Sequence, residues 1–231
     1  MVNSINIKRK IKKFNKKIFV NGYKSISIRW VLLSSLANAT SRAKNLLMSE
    51  DVKAAIKTVK KLGIKVKINK NFCEIKGKGI NGYNFKKNIT LNAQNSGTLG
   101  RLILGFLINT PEPIKLIGDK SLSQRDFKRV TDPLTKFGAK FKLRKNRYLP
   151  LTIFGSNKLN SINYFENKGS AQCKSSVIFG GLRAKGKTII KARKSRNHTE
   201  LMLNHLNLPI EVKSKKNMTL LKSHKLKKLI N

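Results

Sequence analysis

The apolar positions of this chain fall into two spacings that alternate along it. Residues 26–37 are mostly apolar and open with the polar run Gly22-Tyr23-Lys24-Ser25-Ile26-Ser27-Ile28-Arg29. Residues 52–62 carry Val52, Ala55, Ile56, Val59 and Leu62, the spacing of a helix with one buried face. Ser49 stands at the cap, Glu50 and Asp51 fill the first turn, and Gly63 ends the run. Residues 64–68 alternate as Ile-Lys-Val-Lys-Ile, a half-buried strand, and 72–75 form its hairpin partner.

The same grammar returns twice. Residues 96–108 are helical, 114–117 a strand and 118–124 a turn. Residues 126–137 predict a helix that is bent or begins late, because it contains Pro133. Gly138 stops it, and strands 139–143 and 149–154 follow. In the third unit 171–182 is helical, 187–191 a strand and 197–206 a helix, with short strands at 210–212 and 218–221. Gly63, Gly138 and Asn207 mark corresponding helix ends. Each unit reads β-α-β-α-β-β, over about 21–90, 91–160 and 161–225, after a basic segment at 1–20. The expected fold is α/β: three βαβαββ units in pseudo-threefold arrangement, helices inside and small mixed sheets outside.

Composition narrows the function. With 231 residues and 39% hydrophobic content, the chain is long enough for a real core. No stretch reaches the ~20 apolar residues of a membrane span. The basic start is followed by no apolar region, so no signal peptide is expected. Cys73 and Cys173 lie far apart in no CxxC pattern, and His198, His205 and His224 lack metal-ligand spacing. Neither metal nor cofactor is expected, and a reducing cytoplasm fits.

The net charge is +41, from 51 Lys and Arg against 10 Asp and Glu. That balance admits a nucleic-acid partner. The lysines, however, are scattered over the whole chain, and aromatic residues are not interleaved with them as a stacking platform. A coding bias toward Lys, Ile and Asn explains this better, with non-specific polyanion adhesion as a side effect.

Small polar residues followed by a cation begin an apolar helix three times, at 22–29, 94–101 and 169–175. Helix N-termini present unpaired N–H groups and a partial positive charge. Small residues let an anion approach, and Lys or Arg adds full charge. Three such runs predict pockets converging on a phosphorylated or carboxylated small molecule.

Several motifs carry a resemblance to one family. They are 22–29, Asn45-Leu46-Leu47-Met48-Ser49-Glu50-Asp51, 95–101, the 118–133 segment with Arg125, Gly169-Ser170-Ala171-Gln172-Cys173-Lys174-Ser175, and Ser195-Arg196-Asn197-His198-Thr199-Glu200. In this order they resemble 5-enolpyruvylshikimate-3-phosphate synthases, the 3-phosphoshikimate 1-carboxyvinyltransferases, over nearly all of 20–212. The resemblance implies one lobe of a two-lobed enolpyruvyl transferase. It would move the enolpyruvyl group of phosphoenolpyruvate to the 5-hydroxyl of shikimate 3-phosphate. It also implies roles. Lys24 would contact both substrates and assist proton transfer, and Ser25 and Arg29 would bind shikimate 3-phosphate. Gly97 would let phosphoenolpyruvate lie close to the backbone, with Asn95 and Thr98 shaping that loop and Arg125 gripping the ligand. Ser170 and Ala171 would border the shikimate phosphate, Gln172 would reach both ligands, and Ser195 with Arg196 would complete the phosphate site. Arg101 is expected to pair with a structural acid, Lys174 to face solvent or the site, and His198 to be structural.

The family is about twice as long, and its acid/base carboxylates and further arginines come from a second lobe. This chain is therefore expected to be inactive alone, as a fragment, a product of truncation or frameshift, or a half completed by a separate chain. Three other readings stay open: a lobe of the sister enzyme acting on UDP-N-acetylglucosamine, a non-catalytic basic protein that binds polyanions, and a decayed gene product without function.

Overall fold

The computed structural model describes residues 15–70, 72–213 and 218–222, with the isolated positions 6, 8, 9 and 13. Residues 10–12 and 14 of the basic start, and 214–217 and 223–231 at the C-terminus, lie outside the described residues. The first group of elements is α1 (Lys24–Ser34), β1 (Thr40–Lys44), α2 (Glu50–Lys61), β2 (Lys65–Ile68) and β3 (Phe72–Lys76). The second is β4 (Thr90–Asn92), α3 (Gly97–Leu107), β5 (Ile114–Ile117), α4 (Lys128–Thr135), β6 (Lys140–Arg144) and β7 (Tyr148–Phe154). The third is β8 (Asn163–Glu166), α5 (Ala171–Gly181), β9 (Lys187–Ala192), α6 (His198–His205), β10 (Ile210–Lys213) and β11 (Met218–Lys222).

All the predicted helices form, with shifted ends. α1 starts at Lys24 rather than 26, which brings Lys24 and Ser25 into its first turn. α4 starts at Lys128, later than 126, and Pro133 lies inside it. Gly63, Gly138 and Asn207 all adopt positive φ (85°, 113° and 53°) at the predicted stops. β1, β4 and β8 have no hydrophobic alternation that assigns them from the sequence.

Two sheets share one connectivity. Their orders are β4-β5-β7-β6 and β8-β9-β11-β10. In each the first two strands are parallel and the other pairings antiparallel. The remaining sheet is β1-β3-β2, the same order without a strand outside β1.

One hydrophobic cluster runs through all three groups, with Phe106, Phe127, Phe137 and Phe179 fully buried. Its tightest crossing is α3 against α5. A Cβ on Gly105 would lie 2.2 Å from the carbonyl oxygen of Ser176, so only glycine allows this approach. Phe106 and Phe179 stack beside it with ring centroids 4.3 Å apart. Ser176 Oγ donates to the Arg101 carbonyl at 2.9 Å. This crossing sets how the N-terminal turns of the two helices meet.

Candidate active site

The N-terminal turns of α3 and α5 are built alike. Ser96 Oγ accepts from Leu99 N–H at 3.3 Å, and Ser170 Oγ accepts from Cys173 N–H at 3.3 Å. The loop ahead of α5 is tied to buried Glu166, which accepts from Ser170 N–H (2.7 Å) and Lys168 N–H (3.2 Å). α1 differs: its cap position is Tyr23, whose hydroxyl is turned to Arg196 (3.2 Å) instead of to the helix.

Two polar clusters stand on these turns. In the first, Gln172 Oε1 accepts from Arg101 Nη1 at 2.7 Å, and Gln172 Nε2 donates to Thr98 Oγ1 at 3.1 Å. Arg101 also reaches the Asp126 carbonyl (3.5 Å) and lies over the Phe127 ring. Gly97 faces two guanidinium groups: a Cβ there would sit 3.0 Å from Arg101 Nη1 and 3.1 Å from Arg125 Nη1. A helix start, an absent side chain and two cations together have the chemistry of a candidate cradle for a small anion. Asn95 is turned to the rim, donating to Asp119 Oδ2 at 2.6 Å. Backbone N–H of Leu122 and then this amide hold the Asp119 carboxyl below its ordinary pKa.

The second cluster centres on Arg29, which is only 3% exposed. Its Nε donates to Thr199 Oγ1 (2.7 Å), its Nη2 to Ser175 Oγ (3.0 Å) and its Nη1 to the Ser25 carbonyl (2.9 Å). Ser175 and Thr199 hydroxyls are themselves 2.7 Å apart. Burial lowers the guanidinium to about 10, with Glu200 opposing the shift, so Arg29 stays charged at neutral pH. Next to it, Lys174 Nζ and Glu200 Oε1 form a buried ion pair at 2.6 Å. Ser195 Oγ is buried without a hydrogen-bond partner, beside exposed Arg196. Tyr23 meets His198 edge-on, ring centroids 5.2 Å apart. The hydrogen bond from Arg196, then that of Ser25, pulls the Tyr23 hydroxyl pKa down. Burial, then Arg29 and Arg196, lowers that of His198.

Thr98, Gln172, Gly97 and Arg125 thus share one cluster, and Ser25, Arg29, Ser195 and Arg196 lie around the other, with Ser170 and Ala171 at the head of α5. Lys24 is half-exposed and paired with Asp51 Oδ2 at 3.3 Å. Two expectations change. Arg101 pairs with an amide and a backbone carbonyl, not with an acid. Lys174 does not face solvent: it is buried beside the Arg29 cluster and paired with Glu200. The supporting hydroxyls Tyr23, Ser175 and Thr199 were not singled out from sequence. Ser175 and Thr199 lie inside recognised motifs, yet no spacing tells that Arg29 meets them. Among the described residues no three His, Cys, Asp or Glu side chains gather to hold a metal ion. No helix among them is long and apolar enough to cross a membrane.

Comparison with known proteins gives the family. A family model described as EPSP synthase (3-phosphoshikimate 1-carboxyvinyltransferase) matches residues 8–229. A 3-phosphoshikimate 1-carboxyvinyltransferase of Caldicellulosiruptor bescii is 43% identical over 202 residues, 87% of this chain and 46% of that protein. One from Bacillus cytotoxicus is 40% identical, covering 90% of this chain and 49% of its own length. The solved EPSP synthase of Acinetobacter baumannii superposes with a TM-score of 0.84 at 30% identity, over 90% of this chain and 46% of that one. The chain spans about half the length of the curated relatives it matches. Its motifs, its mixed sheets with six helices and these matches together show that the chain belongs to the EPSP synthase family.

Proposed function

We propose that this chain is one lobe of an enolpyruvyl transferase, over about 21–231, built from three βαβαββ units around a pseudo-threefold axis. The shared strand order of two sheets supports the repeat. The lobe binds shikimate 3-phosphate and half of the phosphoenolpyruvate site. Transfer to the 5-hydroxyl then needs a second lobe, supplied by another polypeptide or by a longer form of this one. The setting is the shikimate pathway in the cytoplasm, with no cofactor.

One observation carries the reading: Gly97 opens α3 directly beneath the guanidinium groups of Arg101 and Arg125. The carboxylate and phosphate of phosphoenolpyruvate are suited to that cradle, with Asn95 and Thr98 at its edges. Gln172 links it to a shikimate 3-phosphate site formed by Ser25, Arg29, Ser170, Ala171, Ser195 and Arg196. Lys24 exchanges Asp51 for substrate and assists proton transfer. The unpartnered Ser195 hydroxyl and exposed Arg196 supply donors for a phosphate.

The test is calorimetric titration of the chain with shikimate 3-phosphate and, separately, with a UDP-amino sugar. Binding of the first, weakened in Arg196→Ala, is expected. Preference for the UDP-sugar, or equal response to any polyanion, overturns the reading.

A further inference from the structure

The end of the lobe away from the candidate site holds a separate cavity. It has a volume of about 270 Å³, between Ile80, Tyr83 and Phe85 of the loop after β3, Asn109 and Pro111 beyond α3, and Arg183 beyond α5. All three groups of elements meet there. Gly97 opens α3 and Asn109 follows its end, so the cavity stands roughly 18 Å from the Gly97 cradle at about 1.5 Å of helix per residue.

Arg183 is the unusual member. Its Nη1 donates to Asn109 Oδ1, and Asn109 Nδ2 donates in turn to Asn81 Oδ1 at 3.1 Å. Its Nε and Nη2 are buried and have no hydrogen-bond partner among the described residues. No carboxylate among those residues pairs with it. Glu112, in the loop that leaves α3, is taken by Lys87 at 3.7 Å. The guanidinium lies over the Tyr83 ring, 5.9 Å from its centroid, while the Tyr83 hydroxyl is engaged with Ser35 Oγ at 2.8 Å. Burial lowers the Arg183 pKa to about 10, with Tyr83 opposing, so the group is charged at neutral pH.

A cation after α5 complements the helix dipole, and that accounts for an arginine at this place. It does not account for two unpartnered donors, because a buried N–H without an acceptor is costly. Nε and Nη2 together form one edge of the guanidinium, which can grip a carboxylate with two parallel bonds. Ile80, Phe85 and Pro111 give the cavity an apolar wall, which suits a flat carbon body better than a strongly hydrated phosphate. The volume is just below the ~300–1,000 Å³ of drug-sized ligand sites, which fits a ligand of about one ring.

We propose that this cavity binds a small organic carboxylate with a flat apolar body. The carboxylate pairs side-on with Nε and Nη2 of Arg183, and the body lies against Tyr83 and Phe85. Both nitrogens are covered in the structure, so the ligand enters as the Asn109 and Asn81 amides swing aside. The site is independent of which substrate the helix starts take.

Titration of the whole chain with benzoate, followed by amide NMR, tests it. The net charge of +41 attracts any anion, so the titration is run at high salt. Benzoate should saturate one site, with shifts centred on Tyr83, Asn109 and Arg183. Benzamide has the same shape without the charge and should bind roughly tenfold more weakly, because it cannot form the charge-assisted pair. Arg183→Gln should weaken benzoate by a similar factor. Asn157→Glu places a like charge on an exposed residue of the cavity rim and should weaken it too, which keeps the test if Arg183→Gln fails to fold. Four results overturn the proposal: no saturation, shifts confined to the helix starts at Gly97 and Ser170, equal affinity for benzamide, and unchanged benzoate affinity in the folded variants.

Discussion

Arg29 Nε donates to Thr199 Oγ1 at 2.7 Å, joining α1 to α6 across 170 positions of sequence. Both side chains are buried. Thr199→Val keeps the shape and leaves a buried guanidinium N–H unpaired, which costs about 1–3 kcal/mol. Urea unfolding should show the midpoint falling with an unchanged slope.

The Lys174–Glu200 pair is more demanding, with side chains only 8% and 5% exposed. Glu200→Leu alone strands a buried ammonium and should destabilise by ~3–5 kcal/mol. Lys174→Met added to it should recover much of that loss. Unfolding of the two single variants and the double variant measures the coupling directly.

Gly97→Ala separates binding from folding. The added methyl crowds the ends of two arginine side chains, which can shift, and meets Leu122 Cδ1 at an ordinary 3.7 Å, and alanine suits a helix. Stability should change by less than about 1 kcal/mol. Phosphoenolpyruvate or inorganic phosphate affinity should fall by roughly tenfold or more, equal to about 1.4 kcal/mol. Equal affinity in both proteins would remove this cradle from the site.

His198 gives a pH signature. Its folded pKa lies below the ordinary 6.5, first through burial and then through Arg29 and Arg196. The unfolded chain therefore takes up the proton first on acidification. Its contribution to stability is complete above 6.5 and is lost as pH falls through the lower folded value. A His198→Gln variant should lose less stability than the parent between neutral pH and about 5. Denaturation at several pH values checks this.

The helices and the hairpins were legible in sequence because their apolar spacing is set by one-sided burial. β1 was not: Thr40-Ser41-Arg42-Ala43-Lys44 has no apolar alternation, since its inward positions are small and only half-covered. β4 and β8 are short outer strands placed by their neighbours. The candidate site was legible as three runs of small residues and cations, the chemistry an anion site needs at helix starts. Its internal wiring was not. That Arg29 is held by Ser175 and Thr199, and that Lys174 is consumed by Glu200, depend on which helices cross. The reason for Gly22 also appears only in three dimensions: a Cβ there would lie 2.2 Å from the Asn45 carbonyl oxygen.

The central claim is that this chain holds a competent half of an enolpyruvyl transfer site. Phosphate release from phosphoenolpyruvate, with shikimate 3-phosphate present, measures it most directly. The assay is run on the chain alone and with the C-terminal half of an EPSP synthase added. Turnover only in the mixture, lost with Arg125→Ala, is the predicted result. Turnover by the chain alone would contradict the account, because the acid/base groups assigned to the missing half would then lie here.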